Sequence, residues 1–280
     1  MTVDQSLDFS AIADDLTALI ASNRLVLPGV PEVASRVRQA AAEGSCDAAQ
    51  LATIVSADPA LSAHLIKVSN AVALRREQEI RNVRAAVTRL GFRLTAMTVT
   101  SFSILQMMAV AGSRQARVRQ LYQHSVRVGE LCRLLAQNHP ALVPEDALLL
   151  GLVHDIGVLA ILQYVRRSSA LQVPDTLDEL IRRLHAPIGA AMLRAWHFPA
   201  ALADAVAAHE DWQRDHPGPA PDYADLLIAA NFHAHRGSGH PMAALDPDTL
   251  PALRRVGPLP EMNAHAAQQI QALCGSEASA

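Results

Sequence analysis

Gly151-Leu152-Val153-His154-Asp155-Ile156-Gly157 lies inside an apolar run extending from Ala147 to Leu162. A histidine and an aspartate stand side by side in it. An unpaired carboxylate in such surroundings is costly, so Asp155 requires a metal ion, a histidinium or several hydrogen bonds. Adjacent positions on a helix point about 100° apart. One helix carrying Leu148 to Tyr164 would therefore let His154 and Asp155 grip a single ion, leaving the carboxylate free to bridge to a second. The reading without an ion is a buried hydrogen-bonded pair, with Asp155 fixing the ring of His154 or His124.

Working outward, apolar residues recur at helical spacing almost everywhere, and no alternating strand pattern of convincing length is present. Phe9, Ile12, Ala13, Leu16, Leu19 and Ile20 mark a first amphipathic helix. A second is expected from about Pro31 to Glu43, and a third behind the cap Asp47. Asp58-Pro59 opens a fourth. Val83 to Leu90 reads as a short helix ending at Gly91, and Thr95 to Met108 as another. Gly112-Ser113 divides this set from a long helix over Arg114 to Asn138. Shorter helices are expected around Thr176–Leu184, Pro187–Trp196, Pro199–Ala208 and Asp222–His235. Arg236 to Pro247 reads as a loop, followed by one or two helices within Leu250–Leu273. The expectation is an all-α protein: an amino-terminal helical bundle over residues 1–112, a second bundle over 113–240 that carries the His–Asp pair, and carboxy-terminal helices or tail over 241–280.

Bulk properties narrow the function classes. Of the 280 residues, 50% are hydrophobic but only 4% aromatic, so aliphatic side chains must fill the core. The net charge of −3 gives no electrostatic reason to expect nucleic acid as a partner. The arginines at 75, 76, 81 and 84 leave only a local basic patch, and Arg114, Arg117 and Arg119 read as a solvated helix face. Cys46, Cys132 and Cys274 form no C-x-x-C pair and suit a reducing cytoplasm. Residues 1–16 lack the basic stretch of a signal peptide, and Ala147–Leu162 is too short and too polar for a membrane span.

Four blocks in order resemble the HDOD domain family: LPGVPEVASRVRQAA from Leu27, LATIVSADPALSAHLIKVSNA from Leu51, IRNVRAAVTRLGF from Ile80 and GLVHDIGVLAIL from Gly151. Together they identify a resemblance over about Leu25 to His209. Asn70-Ala71 stands where the family normally has Asn-Ser. The resemblance implies an HD-domain-like helical fold related to the HD and HD-GYP metal phosphohydrolases. It also implies a bacterial regulatory role exercised through contacts with other signalling proteins, usually without catalysis. On the same resemblance, His124 matches the first ligand histidine of HD hydrolases, and His154 and Asp155 match the HD pair. His185 and His209 match later histidines of HD-GYP domains, and Glu210 replaces a second adjacent histidine. This donor set suits a divalent transition metal such as iron, manganese or nickel, and the resemblance also allows a nucleotide ligand.

Two positions depart from the hydrolases. Asn231 stands where the closing aspartate would be, and Val158 where HD-GYP enzymes carry a lysine; a GYP loop is absent from the sequence. Phosphodiester cleavage needs a metal-activated nucleophile and positive charge against the phosphoryl oxygens. Losing such a charge stabiliser typically costs on the order of 10²–10³ in rate. The sequence therefore points to a non-catalytic binding module, with a metal-dependent phosphohydrolase acting on nucleotides or cyclic dinucleotides as the alternative. His139, His197, His216, His233, His235, His240 and His265 read as surface or loop residues.

Overall fold

Side-chain caps set the helix starts. The computed structural model describes residues 8–22, 24, 33, 36, 37, 39, 40, 47–72, 80–110, 115–196 and 198–259. Most of the expected helix over Pro31–Glu43, the Gly112-Ser113 division, His197, His265, Cys46, Cys274, Arg75, Arg76 and Arg114 lie outside these. Asp8 caps α1 (Phe9–Ala21), accepting hydrogen bonds from the backbone N–H groups of Ser10 and Ala11. Asp47 and Gln50 form a reciprocal capping box at α2 (Ala48–Ser56). Asp58 accepts from Ala60 and Leu61 and starts α3 (Pro59–Val72). In α4 (Val83–Val110), Gly91 interrupts the helix with φ 76°, a conformation that favours glycine. The helices continue with α5 (Gln115–Ala136), α6 (Pro144–Val153), α7 (Gly157–Tyr164), α8 (Pro174–Ala195), α9 (Ala200–Ala208), α10 (Tyr223–His235) and α11 (Pro251–Val256). Among the described residues every regular element is a helix or a 3₁₀ turn.

The chain divides into two units, one of Pro28–Arg119 and the other of Met1–Leu27 with Gln120–Ala280. In the first, α4 packs on α2 and α3. There the Asn70 carboxamide accepts from the Ile80 N–H and donates to the Ile80 carbonyl, both at 2.8 Å. This pair closes the chain between the end of α3 and the approach to α4.

In the second unit, α1 packs on α8 and touches α7. The sequence reading put α1 with the amino-terminal bundle over 1–112. Its buried Leu16 and Leu19 instead join the His–Asp unit, and the Arg183 guanidinium lies 4.4 Å from the Phe9 ring centroid. Residues beyond 240 also belong there. Met242, Leu250 and Ala252 are buried against Ile228 and Phe232 of α10, so this part of the expected tail is core.

Two further expectations are corrected. Thr176–Leu184 and Pro187–Trp196 are one helix, α8, with Pro187 inside it. Proline has no N–H to donate there. The burial of Leu177, Leu180, Leu184 and Ile188 along one stripe offsets that loss and carries the helix through. Conversely, the single helix expected through the His–Asp pair is two, α6 and α7, joined by a turn at 154–156. The backbone bonds there run to the third residue back: Ile156 to Val153, Val158 to Asp155 and Leu159 to Ile156, at 3.0–3.1 Å. By length and composition alone the longer stretch Pro144–Arg167, which contains the apolar run Ala147–Leu162, suffices to cross a membrane. In the structure 78% of its most apolar window is buried inside the protein.

Glycines flank this turn because helix backbones touch there. A Cβ on Gly151 would sit 2.5 Å from the Cα of Gly129 on α5. A Cβ on Gly157 would land on the His185 carbonyl oxygen and 2.7 Å from the Gly189 nitrogen. Gly157 thus lets α7 meet α8 at the residue that faces Asp155. Gly157→Ala should lower stability by about 1–3 kcal/mol or more, the cost of overpacking a close contact. Gly239→Ala, whose Cβ would meet nothing within 4 Å, should leave the thermal midpoint unchanged in the same unfolding experiment.

Candidate metal centre

Five elements of the second unit supply the site. His124 comes from the middle of α5, His154 and Asp155 from the α6–α7 turn, and His185 from α8. His209 caps the C-terminus of α9, with Glu210 just beyond it, and Asn231 and His235 come from α10. His154 and His209 are fully buried, and His185 nearly so.

Three of the rings are held in the same way. Nδ1 of His154 lies 2.7 Å from the Gly151 carbonyl, Nδ1 of His185 2.7 Å from that of Ile181, and Nδ1 of His209 2.7 Å from that of Val206. A carbonyl oxygen only accepts, so each Nδ1 carries a hydrogen and each Nε2 is the atom turned inward. Backbone partners of this kind fix the ring and tautomer of a metal-binding histidine.

The inward atoms converge on Asp155. Its Oδ1 lies 3.4 Å from His185 Nε2 and 3.5 Å from His209 Nε2. Those two nitrogens are 3.2 Å apart, and Glu210 Oε1 is 3.4 Å from each. The other carboxylate oxygen, Oδ2, lies 3.3 Å from His154 Nε2 and 3.8 Å from His124 Nε2. Asp155 thus divides the donors into a group with His124 and His154 and a group with His185 and His209, each able to hold an ion.

These donors fit a metal. Ligands at ~2.1 Å around one tetrahedral ion lie about 3.4 Å apart, as the His185 and His209 nitrogens do from each other and from the carboxylate oxygens they face. His154 Nε2 is buried with no hydrogen-bond partner although a carboxylate oxygen faces it. A cation between them, whether a proton or a metal ion, satisfies both atoms.

Protons take part of that role in the protein alone. Burial presses the His185 pKa down, but the Glu210 and Asp155 carboxylates outweigh it and hold it up at about 9. Burial pushes Asp155 up, but His154, His209 and His185 together hold it well below the usual carboxylate range. Glu210 is likewise brought below its ordinary value by His185 and His209, against burial. His124 goes the other way: burial, reinforced by the neighbouring His154, lowers it to about 3.

All six residues anticipated as donors, His124, His154, Asp155, His185, His209 and Glu210, are brought together. Asn231 is there as well. Its carboxamide neighbours His124, and its oxygen is buried without a well-formed hydrogen bond. Val158 points no charge here; it is buried in the core of α7.

Two histidines read as surface residues are part of the wall. The His235 ring stacks on His124 at 4.6 Å between centroids, and His240 stacks on His235 at 3.8 Å. The signal was the position of His235 four residues after Asn231, which puts both on one face of α10. His139, by contrast, meets the Val256 carbonyl at 3.0 Å. His216, with Asp222 and Asp225, has ligand-like spacing, but Arg214 and Arg255 already neutralise those carboxylates.

The HDOD domain family model matches residues 27–212. This chain belongs to the HDOD domain family. A curated Treponema pallidum (strain Nichols) protein of uncharacterised function is 22% identical over 83% of the chain, and the chain spans only 46% of that protein's length. A solved structure from Shewanella amazonensis SB2B, named a candidate metal-dependent phosphohydrolase, superposes with a TM-score of 0.71 at 24% identity, covering 95% of this chain and 99% of that one. An HDOD domain protein of unknown function from Geobacter sulfurreducens gives 0.67 at 18% identity over 95% and 98%. A candidate signal-transduction protein from Marinobacter aquaeolei VT8 gives 0.60 at 17% identity over 97% and 65%. At these identities the likeness is one of fold. It gives the nucleotide ligand no support.

Without metal, the HDOD domain should be pH-sensitive in a definite direction. His185 has a pKa near 6.5 when unfolded and about 9 when folded. Its stabilising contribution is therefore complete below pH 6.5 and is lost as pH rises through about 9. Thermal unfolding in chelator should show the midpoint falling across that window. Mn²⁺ affinity should rise across it, because binding displaces the His185 proton.

Proposed function

We propose that this chain is a non-catalytic regulatory HDOD module of bacterial signal transduction. In this reading it acts in the cytoplasm through contacts with other signalling proteins, and its His–Asp cluster binds a divalent transition metal such as iron, manganese or nickel. One observation carries the metal reading: the Nε2 atoms of His154, His185 and His209, each oriented by a backbone carbonyl, close on the two oxygens of a single aspartate. A hydrogen-bonded pair would need only one of them.

A bound divalent ion would neutralise the facing carboxylates and supply Lewis acidity to an oxygen ligand. The residues around it do the rest. Asp155 holds the two donor groups together. His124, His154, His185 and His209 set the donor directions, and Glu210 adds charge on one side. What turnover would further require is missing from the chain. Asn231 brings no charge beside His124, and the buried Val158 offers no cation to a phosphoryl group. Binding without efficient cleavage follows from those two positions.

The second reading is a metal-dependent phosphohydrolase. It is favoured by the way Asp155 presents one oxygen to each donor group, as a bridge between two ions would.

Metal analysis of the purified protein, followed by assay of bis(p-nitrophenyl) phosphate with added Mn²⁺, separates the two. The protein should retain a divalent ion that Asp155→Ala loses, and its turnover should not exceed that of Asp155→Ala. Repeated metal-dependent turnover that disappears in Asp155→Ala would put the phosphohydrolase in place of the binding module.

A further inference from the structure

The two halves of the cluster are not equivalent. The side of Asp155 Oδ1 holds His185, His209 and Glu210: two imidazoles, one carboxylate of its own and one shared. Its two imidazole nitrogens are 3.2 Å apart, and each lies 3.4–3.5 Å from the facing oxygens of Asp155 and Glu210. The side of Asp155 Oδ2 holds His124, His154 and the uncharged Asn231, and shares Asp155 as its one carboxylate. It is also looser, with His124 Nε2 at 3.8 Å from Oδ2. The face of His124 is stacked on His235, which in turn lies against His240, so the ring is braced from behind.

We propose that, within the metal-binding reading above, the two sides form a graded pair: a tight site at Asp155, His185, His209 and Glu210, and a weak, exchangeable site at Asp155, His124 and His154. The physical basis is charge and fit. Affinity for a hard divalent ion rises with the number of anionic ligands and the rigidity of the site. The first side has one more carboxylate and a spacing already matched to a small ion. A first ion also repels a second across the shared Asp155, which widens the gap. The variable quantity is then the occupancy of the His124–His154 side. The tight side is filled whenever metal is present, while the weak side follows the metal level. In a module that acts by binding partners, that makes the weak side the one that reports supply.

Repulsion between ions would make even identical sites fill unequally, so the assignment rests on two substitutions that act on opposite sides. Asn231→Asp adds a carboxylate to the weak side, and Glu210→Gln removes one from the tight side. The measurement is Mn²⁺ binding to the chelator-stripped full chain by equilibrium dialysis. The native chain should take one ion tightly and a second about tenfold or more weaker. Asn231→Asp should tighten the second step by about tenfold and leave the first nearly unchanged. Glu210→Gln should weaken the first step by a similar factor. Because Asn231 is buried, the added carboxylate lacks a partner when metal is absent. The thermal midpoint of Asn231→Asp should therefore fall in chelator and rise with Mn²⁺ by more than the native rise. Glu210, more than a third exposed, tests the tight side without that burden.

Two equal steps in the native chain would overturn the graded pair, as would an unchanged second step in Asn231→Asp or an unchanged first step in Glu210→Gln. The metal-binding reading would stand in each of those cases. A native chain that takes up no Mn²⁺ at all would overturn both.

Discussion

A carboxylate set among apolar helices is the constraint around which this unit of the protein is organised. Asp155 sits where α6 and α7 meet, and the helices on either side are core. Keeping a charge in that position requires cationic or hydrogen-bonding partners from several directions. The fold supplies them from α5, α8 and the end of α9, and each must reach the same point. The close helix contacts at Gly129–Gly151 and at Gly157–His185 are the steric condition for that convergence. With larger residues there, the helices would stand apart and the donors would miss one another.

The compensation has two forms. With protons alone, His185 carries the positive charge among Asp155, Glu210 and His209. A bound metal ion would take that position in place of the proton. Both states satisfy Asp155, which is why a well-formed cluster is compatible with either. The chemistry that would follow binding depends on other residues. On the resemblance to the HD and HD-GYP hydrolases, Asn231 and Val158 stand where those enzymes carry charges for phosphate cleavage, and neither carries one. In the reading proposed above, the cluster would hold an ion while lacking groups that would make the ion an efficient catalyst.

Much of this was legible in the sequence. The His154–Asp155 dipeptide, its flanking glycines and the four ordered blocks gave the fold family, and the six donors could be named because each lies in a helix pattern that the motif orders. What could not be read has physical causes. The break of the helix at 154–156 comes from packing against α8, and an apolar run gives no local sign of it. The passage of α8 through Pro187 reflects a buried stripe that outweighs the local preference of proline. The placement of α1 against α8 is a contact between segments more than 150 residues apart. His235 and His240 escaped notice because a solitary histidine near a helix end usually faces water. The backbone carbonyls of Gly151, Ile181 and Val206 leave no trace in side-chain chemistry at all.

Those carbonyls carry a lasting implication. The aim of three imidazoles is dictated by main-chain atoms of their own helices, which every amino acid possesses. No neighbouring side chain has to be retained for the rings to keep their bearing. The outer faces of the same helices are then free to drift in identity over evolutionary time, acquiring or shedding recognition of other proteins while the inner chemistry stays constant. A scaffold wired in this manner can be inherited by many proteins with different allegiances.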